Sequence, residues 1–149
     1  MDLLPILLAV HISLAVALFV PSILLPLAMR RRPGANGSGV IVRALMFAQS
    51  HGTLLIGAGL AASGAALLAA LGSGLLAQPW LLVALIIYAL NLALAFFIQR
   101  PNLRRLLGMR FGDDASWRAR ARRQRYVSYA MAALVGTIGA LMTTKPDLW

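Results

Sequence analysis

The sequence predicts an all-α fold: a polytopic membrane protein, built as an antiparallel four-transmembrane-helix bundle with both termini outside. Three observations carry this expectation. The chain contains four apolar runs of roughly 17 to 27 residues, and about 20 such residues cross the hydrocarbon core of a bilayer as a helix. Charged residues make up 12% of the chain, against about a quarter in soluble domains. All but one of the 14 Lys and Arg residues fall in two segments, 30–43 and 100–125, while the connection at 72–79 is uncharged. Basic connections on one side only are the positive-inside signature, because cationic loops resist translocation. The 149 residues have room for four spans and short connections, hence one domain over 1–149.

Span one covers about 3–29 and stops at Arg30, Arg31 and Arg32. Its start lacks the basic region of a cleavable signal, so it is expected to stay in place with the N-terminus outside. Pro5 sits in the first turn, where its missing N–H removes nothing. Pro21 and Pro26 lie deep enough to kink the helix or end it early. Residues 33–40, PGANGSGV, read as a flexible cytoplasmic loop. Span two, about 43–71, is rich in Gly and Ala between Gly52 and Ala65. Small side chains at four-residue spacing let membrane helices approach closely, which predicts a central helix touching more than one neighbour.

Span three, about 79–99, sets Trp80 at the outer interface and Gln99 and Arg100 at the inner one. Tyr88 and Asn91, three apart, share a helix face and read as structural polar residues that hydrogen-bond between helices. Segment 100–125 is a basic cytoplasmic stretch with nine arginines beside Asp113 and Asp114. Its second half, SWRARARRQR, reads as a helix lying on anionic inner-leaflet headgroups, each arginine contributing about 1 kcal/mol. Span four, about 126–142, carries Ser128, Ala132, Gly136 and Ala140 as a close-packing stripe. The tail TTKPDLW emerges outside, with Trp149 as an interfacial anchor.

Composition excludes several chemistries. With no cysteine there is no disulfide, thiolate metal site or covalently attached c-type haem. There is no glutamate, and the four aspartates lie in connections or tails. Carboxylate proton relays within the membrane, acid–base pairs and carboxylate metal sites are thereby removed. A net charge of +10 would fit nucleic acid in a soluble chain. Here Phe111, Trp117 and Tyr126 are too sparse among the arginines to form a stacking platform, so no nucleic-acid partner is expected. No phosphate-cradling Gly-rich loop and no Ser-His-Asp set can be assembled.

What remains is His11, His51 and Lys145. Ionisable groups inside spans are costly to bury and are functional candidates for that reason. Counting from the arginine edges at about 1.5 Å per residue places His11 about 28 Å and Lys145 about 30 Å from the inner side. His51 and Asn91 come out at about 12 and 14 Å. Two histidines in a helical bundle point first to axial ligation of a b-type haem. One iron needs both imidazoles at nearly one depth, and these differ by about 16 Å. A single haem bridging His11 and His51 is therefore disfavoured, and each imidazole is expected at its own haem or porphyrin site.

The N-terminal AVHISLAVALFVPSILLPLAMRRR, the third-span stretch QPWLLVALIIYALNLALAFFIQRPNLRRL and the terminal TKPDLW resemble a group of small predicted integral membrane proteins with four helices. The likeness extends more distantly to HemJ-type protoporphyrinogen oxidases and CopD-like membrane domains. It covers most of the chain. It implies a haem- or porphyrin-associated role for His11, and for Lys145 in the terminal Lys-Pro. The HemJ type also looks for a basic residue early in the third span, where this chain has Trp80, Leu81, Leu82 and Val83. The expected function is thus a haem- or porphyrin-binding redox protein of a bacterial plasma membrane. The alternative is a non-catalytic accessory subunit of a larger respiratory, photosynthetic or transport complex, with membrane-protein partners or a second copy on its small-residue faces. A transporter is a third reading, with few polar positions to bind a substrate.

Overall fold

The structure, a computed structural model, describes residues 3–30, 38–109 and 115–146. Arg31, Arg32, most of the 33–40 loop, Phe111, Asp113, Asp114 and Trp149 lie outside the described residues. Within them are four helices long and apolar enough to cross a membrane: α1 (Leu3–Ala28), α2 (Ser38–Leu71), α3 (Pro79–Leu107) and α4 (Ala115–Thr144). A 3₁₀ turn at Ser73–Ala77 joins α2 to α3, entered through Gly72 at φ 99°, a conformation that only glycine adopts without strain.

Three helices run past the expected boundaries: α2 already begins at Ser38, within the stretch 33–40 expected as a loop. α3 continues eight residues beyond Gln99, and α4 begins eleven residues before Tyr126. The described parts of 100–125 are therefore not a separate surface helix but extensions of α3 and α4. The reason lies in the spacing of the non-basic residues. Asn102, Leu103 and Leu106 form one buried face of α3, and Trp117, Ala121 and Gln124 one of α4, while Arg104, Arg105, Arg118, Arg122 and Arg123 are exposed. An amphipathic stretch with such a face packs on its neighbours rather than standing apart.

A π-helical turn at Ala95–Gln99 interrupts α3, with the Arg100 N–H reaching the Ala95 carbonyl. Pro101 explains it. Proline has no N–H to give its i−4 carbonyl and its ring crowds that carbonyl, so a wider turn relieves the clash and lets the helix continue. α1 remains helical through both Pro21 and Pro26.

Side-chain contacts fix the topology. His11 meets Ser63 and Ser22 meets Gln49, so α1 and α2 are antiparallel. Tyr88 donates to the Gly57 carbonyl and Arg43 to the Leu107 carbonyl, so α2 and α3 are antiparallel. Asn102 meets Gln124 between α3 and α4, and Gly136 lies against Phe19 between α4 and α1. The result is an up-and-down ring of four.

Burial is densest at the end bearing the arginines. There Leu25, Met29, Val42, Met46, Leu103, Leu106, Trp117 and Ala121 form one apolar cluster contributed by all four helices. The outside is apolar too. Ile12, Val16 and Val20 of α1 and Leu85, Ile86 and Phe97 of α3 are exposed. Beyond exposed Leu55 the outward face of α2 carries Ala58, Ala62, Ala65 and Ala69, and that of α4 carries Ala133, Gly136 and Ala140.

Candidate functional site

His11 lies on the face of α1 that meets α2, half-buried, with its Nδ1 2.9 Å from the Ser63 hydroxyl. Ser63 uses its own proton on the Leu60 carbonyl at 3.0 Å. With the hydroxyl proton on Leu60, Nδ1 carries the ring proton and Nε2 keeps its lone pair; Nδ1 is paired with Ser63 in either tautomer. Gly64 makes this possible, since a Cβ there would sit 3.3 Å from the His11 Cε1. An open apolar groove on α1, lined by Ile6, Ala9, Val10, Ser13, Leu14 and Ala17, lies mostly on the exposed face of that helix, turned away from His11.

His51 is held in the same tautomer on a different face. Its Nδ1 is 3.2 Å from the Phe47 carbonyl, which can only accept, and 2.8 Å from the Ser50 hydroxyl. The ring stacks on Phe47 with centroids 4.5 Å apart. The side chain is exposed on the outer surface of α2, with Nε2 bare.

Ser63 gives His11 a position on α2, and His51 is twelve residues back along that helix, about 18 Å. One chain does not bring the two imidazoles across a common iron. Lys145 ends α4 in a left-handed conformation at φ 44° and is exposed. Phe19 and Gly136 are level; His11 lies eight residues beyond the first and Lys145 nine beyond the second. Both therefore stand at about the same height, although no hydrogen bond or ion pair joins them among the described residues.

His51 and Asn91, expected at about one depth, are not level. A Cβ on Gly57 would lie 2.7 Å from Leu92, which sets Asn91 near Gly57, six residues or about 9 Å beyond His51. The error comes from treating Arg43 and Arg100 as one plane. α3 continues to Leu107, and it is Leu107 that Arg43 meets. Tyr88 does bond between helices, to Gly57. Asn91 is fully buried with neither Oδ1 nor Nδ2 partnered.

Sequence reasoning missed a layer of neutral polar side chains. Ser22, Gln49, Gln99 and Gln124 are each three or four residues from Leu25, Met46, Leu103 and Ala121 of the apolar cluster, so they form the next turn of the core. Gln49 donates to Ser22 at 3.4 Å, Asn102 to Gln124 at 2.9 Å and Gln124 to Ser128 at 3.2 Å. The usable signal was this register with the buried leucines; in SWRARARRQR the arginines mask it. No group of three His, Cys, Asp or Glu side chains gathers among the described residues. Comparison with protein-family models, curated proteins and solved structures finds no match.

Proposed function

We propose that this chain is an integral protein of a bacterial plasma membrane that binds b-type haem or a porphyrin through His11 and serves in electron transfer. The observation that carries the reading is the locked imidazole. A histidine that ligates a metal through one nitrogen commonly has its other N–H tied to a carbonyl, carboxylate or similar acceptor. His11 has that arrangement through Ser63 and Leu60. Haem bound there supplies a one-electron couple. Lys145, at the same height, supplies a cation for a propionate.

The same reading orients the bundle. The exposed Arg104, Arg105, Arg118, Arg122 and Arg123 belong at the cytoplasmic surface against anionic headgroups, leaving both termini outside. Haemin titration of the purified protein tests the function. Wild-type protein is expected to develop a Soret band that His11→Ala abolishes. No band in the wild type overturns the proposal.

A further inference from the structure

The layer of neutral side chains one turn beyond the apolar cluster does not close its own hydrogen bonds. Gln49, Gln99, Asn102 and Gln124 are all buried, none more than 5% exposed. Protein bonds join Gln49 to Ser22, Asn102 to Gln124 and Gln124 to Ser128. Four enclosed atoms of this stretch are left without a protein partner. Gln49 Oε1 and Asn102 Oδ1 accept; Gln99 Nε2 and Arg100 Nε donate.

The helix register brings these atoms to one level. A Cβ on Gly57 of α2 would touch Leu92 of α3. Gln49 is eight residues from the first and Gln99 seven from the second, about 12 and 10 Å along antiparallel helices. Met46 and Leu103, one turn nearer the arginines, belong to one apolar cluster. Gln49 and Gln99 therefore face the same turn of the core, and the Asn102–Gln124 bond brings α4 to it. Asn91 stands apart, near Gly57, which offers it no polar side chain.

Small side chains adjoin the carboxamides: Ser22 in the layer, Ala95 and Ser128 one turn outward and Ala121 one turn inward, all buried. The π-helical turn Ala95–Gln99 ends here, and such turns are frequent at functional sites. The mix of atoms decides what binds. Two acceptors repel an anion, and two donors, one on a guanidinium, repel a cation. A water molecule has two protons and two lone pairs, and buried waters typically make about three hydrogen bonds to otherwise unsatisfied groups.

We propose that this layer is a closed hydration site, in which a bound water donates to Gln49 Oε1, accepts from Gln99 Nε2 and so ties α2 to α3 beside the π turn. Asn102 Oδ1 and Arg100 Nε are the further partners at that level. The apolar cluster, contributed by all four helices, seals the site toward the arginine-bearing end. The site lies fourteen residues along α2 from Ser63, about 21 Å, and stands whether or not His11 binds haem.

The test is the nuclear Overhauser effect from water to the side-chain amides of the full chain, ¹⁵N-labelled at glutamine, in detergent micelles at mildly acidic pH. The signal lost in Gln99→Leu identifies the Gln99 amide. In the wild type that amide is expected to show a cross-peak with the sign of a long-held water. Gln49→Met is expected to remove the cross-peak, with an unchanged Gln124 amide shift reporting an intact fold. A wild-type Gln99 amide with no water cross-peak overturns the proposal, whatever the variant does. So does a cross-peak that survives in folded Gln49→Met. Liposomes carrying the protein are expected to shrink under osmotic shock no faster than empty ones; faster shrinkage would make the layer part of an open water path and overturn the closed site.

Discussion

The Arg43 guanidinium reaches the Leu107 carbonyl at 3.5 Å, so the first turns of α2 lie beside the last residues of α3. Arg100 lies seven residues before Leu107, about 10 Å along α3. The amide-bearing layer of Gln49, Gln99 and Gln124 sits there, one turn beyond the apolar cluster. The arginine-rich end is thus a packed part of the bundle whose exposed faces alone are basic.

That packing predicts a measurable role for Gln124, which links Asn102 on α3 to Ser128 on its own helix. Hydrogen bonds between membrane helices contribute about 0.6 kcal/mol on average and up to about 1.7. Gln124→Ala removes one such bond and leaves the buried Asn102 amide without its side-chain acceptor. A loss of about 1–2 kcal/mol is expected in detergent unfolding. Arg122→Ala, exposed next to it, is expected to change stability by less than about 0.5 kcal/mol.

The contact between α2 and α3 at Gly57 yields a paired prediction. A Cβ there would sit 2.7 Å from the end of the Leu92 side chain and 3.6 Å from the Tyr88 hydroxyl. Gly57→Ala alone is expected to cost about 1 kcal/mol through forced repacking. Adding Leu92→Ala to Gly57→Ala clears that overlap but removes buried volume of its own. The double mutant is therefore expected to lose less than the sum of the single losses, a coupling that a double-mutant cycle of unfolding free energies measures.

These two sites also show what was legible. Four helices could be read from apolar length alone, since in a chain with 12% charged residues nothing else explains runs of that length. The ends of α3 and α4 could not. Arginine density hides the buried registers Leu103–Leu106 and Trp117–Ala121–Gln124, and Pro101 looks like a helix stop where a π turn absorbs it. Of the polar residues, the separation of His11 from His51 is counted from Arg30 and Arg43, whose neighbours Met29 and Val42 share one cluster. The imagined level of His51 and Asn91 compared two helices through arginines that do not share a plane. Which nitrogen of each histidine is protonated depends on Ser63, Leu60 and Phe47, and only the fold shows those contacts.

Orientation has a direct assay because the chain has no native cysteine. Gly74→Cys, in the turn between α2 and α3, and Arg118→Cys, near the start of α4, lie at opposite ends of the bundle. With the basic end cytoplasmic, an impermeant maleimide is expected to label residue 74 in intact cells and residue 118 only after lysis. The reverse pattern would refute the proposed orientation.

For the His11 site, the hydroxyl of Ser63 is the testable part. It accepts the ring proton of His11 and so presents Nε2. Groups in this position typically change metal-site affinity 10–100-fold when removed. Ser63→Ala is expected to weaken haemin binding by such a factor with the Soret band retained, whereas His11→Ala eliminates it. A Ser63→Ala protein with unchanged affinity would mean that the contact only packs α1 against α2.

Asn91 makes the opposite prediction, a gain in stability. Its carboxamide is fully buried and neither polar atom finds a partner. Leaving such a group unsatisfied costs about 1–3 kcal/mol. Leucine has a similar volume and no such demand, so Asn91→Leu is expected to stabilise the bundle, by up to about that amount, in a thermal or denaturant melt. A site that costs stability in its resting form is one where a polar requirement outweighs packing. The informative measurement is therefore haem affinity of the stabilised variant. Asn91 stands near Gly57, six residues along α2 from Ser63, about 9 Å from the level of His11. An Asn91→Leu protein that melts higher but binds haem as before would assign the carboxamide no part in the His11 site. A protein that melts higher and binds haem more weakly would place it within reach of the macrocycle edge.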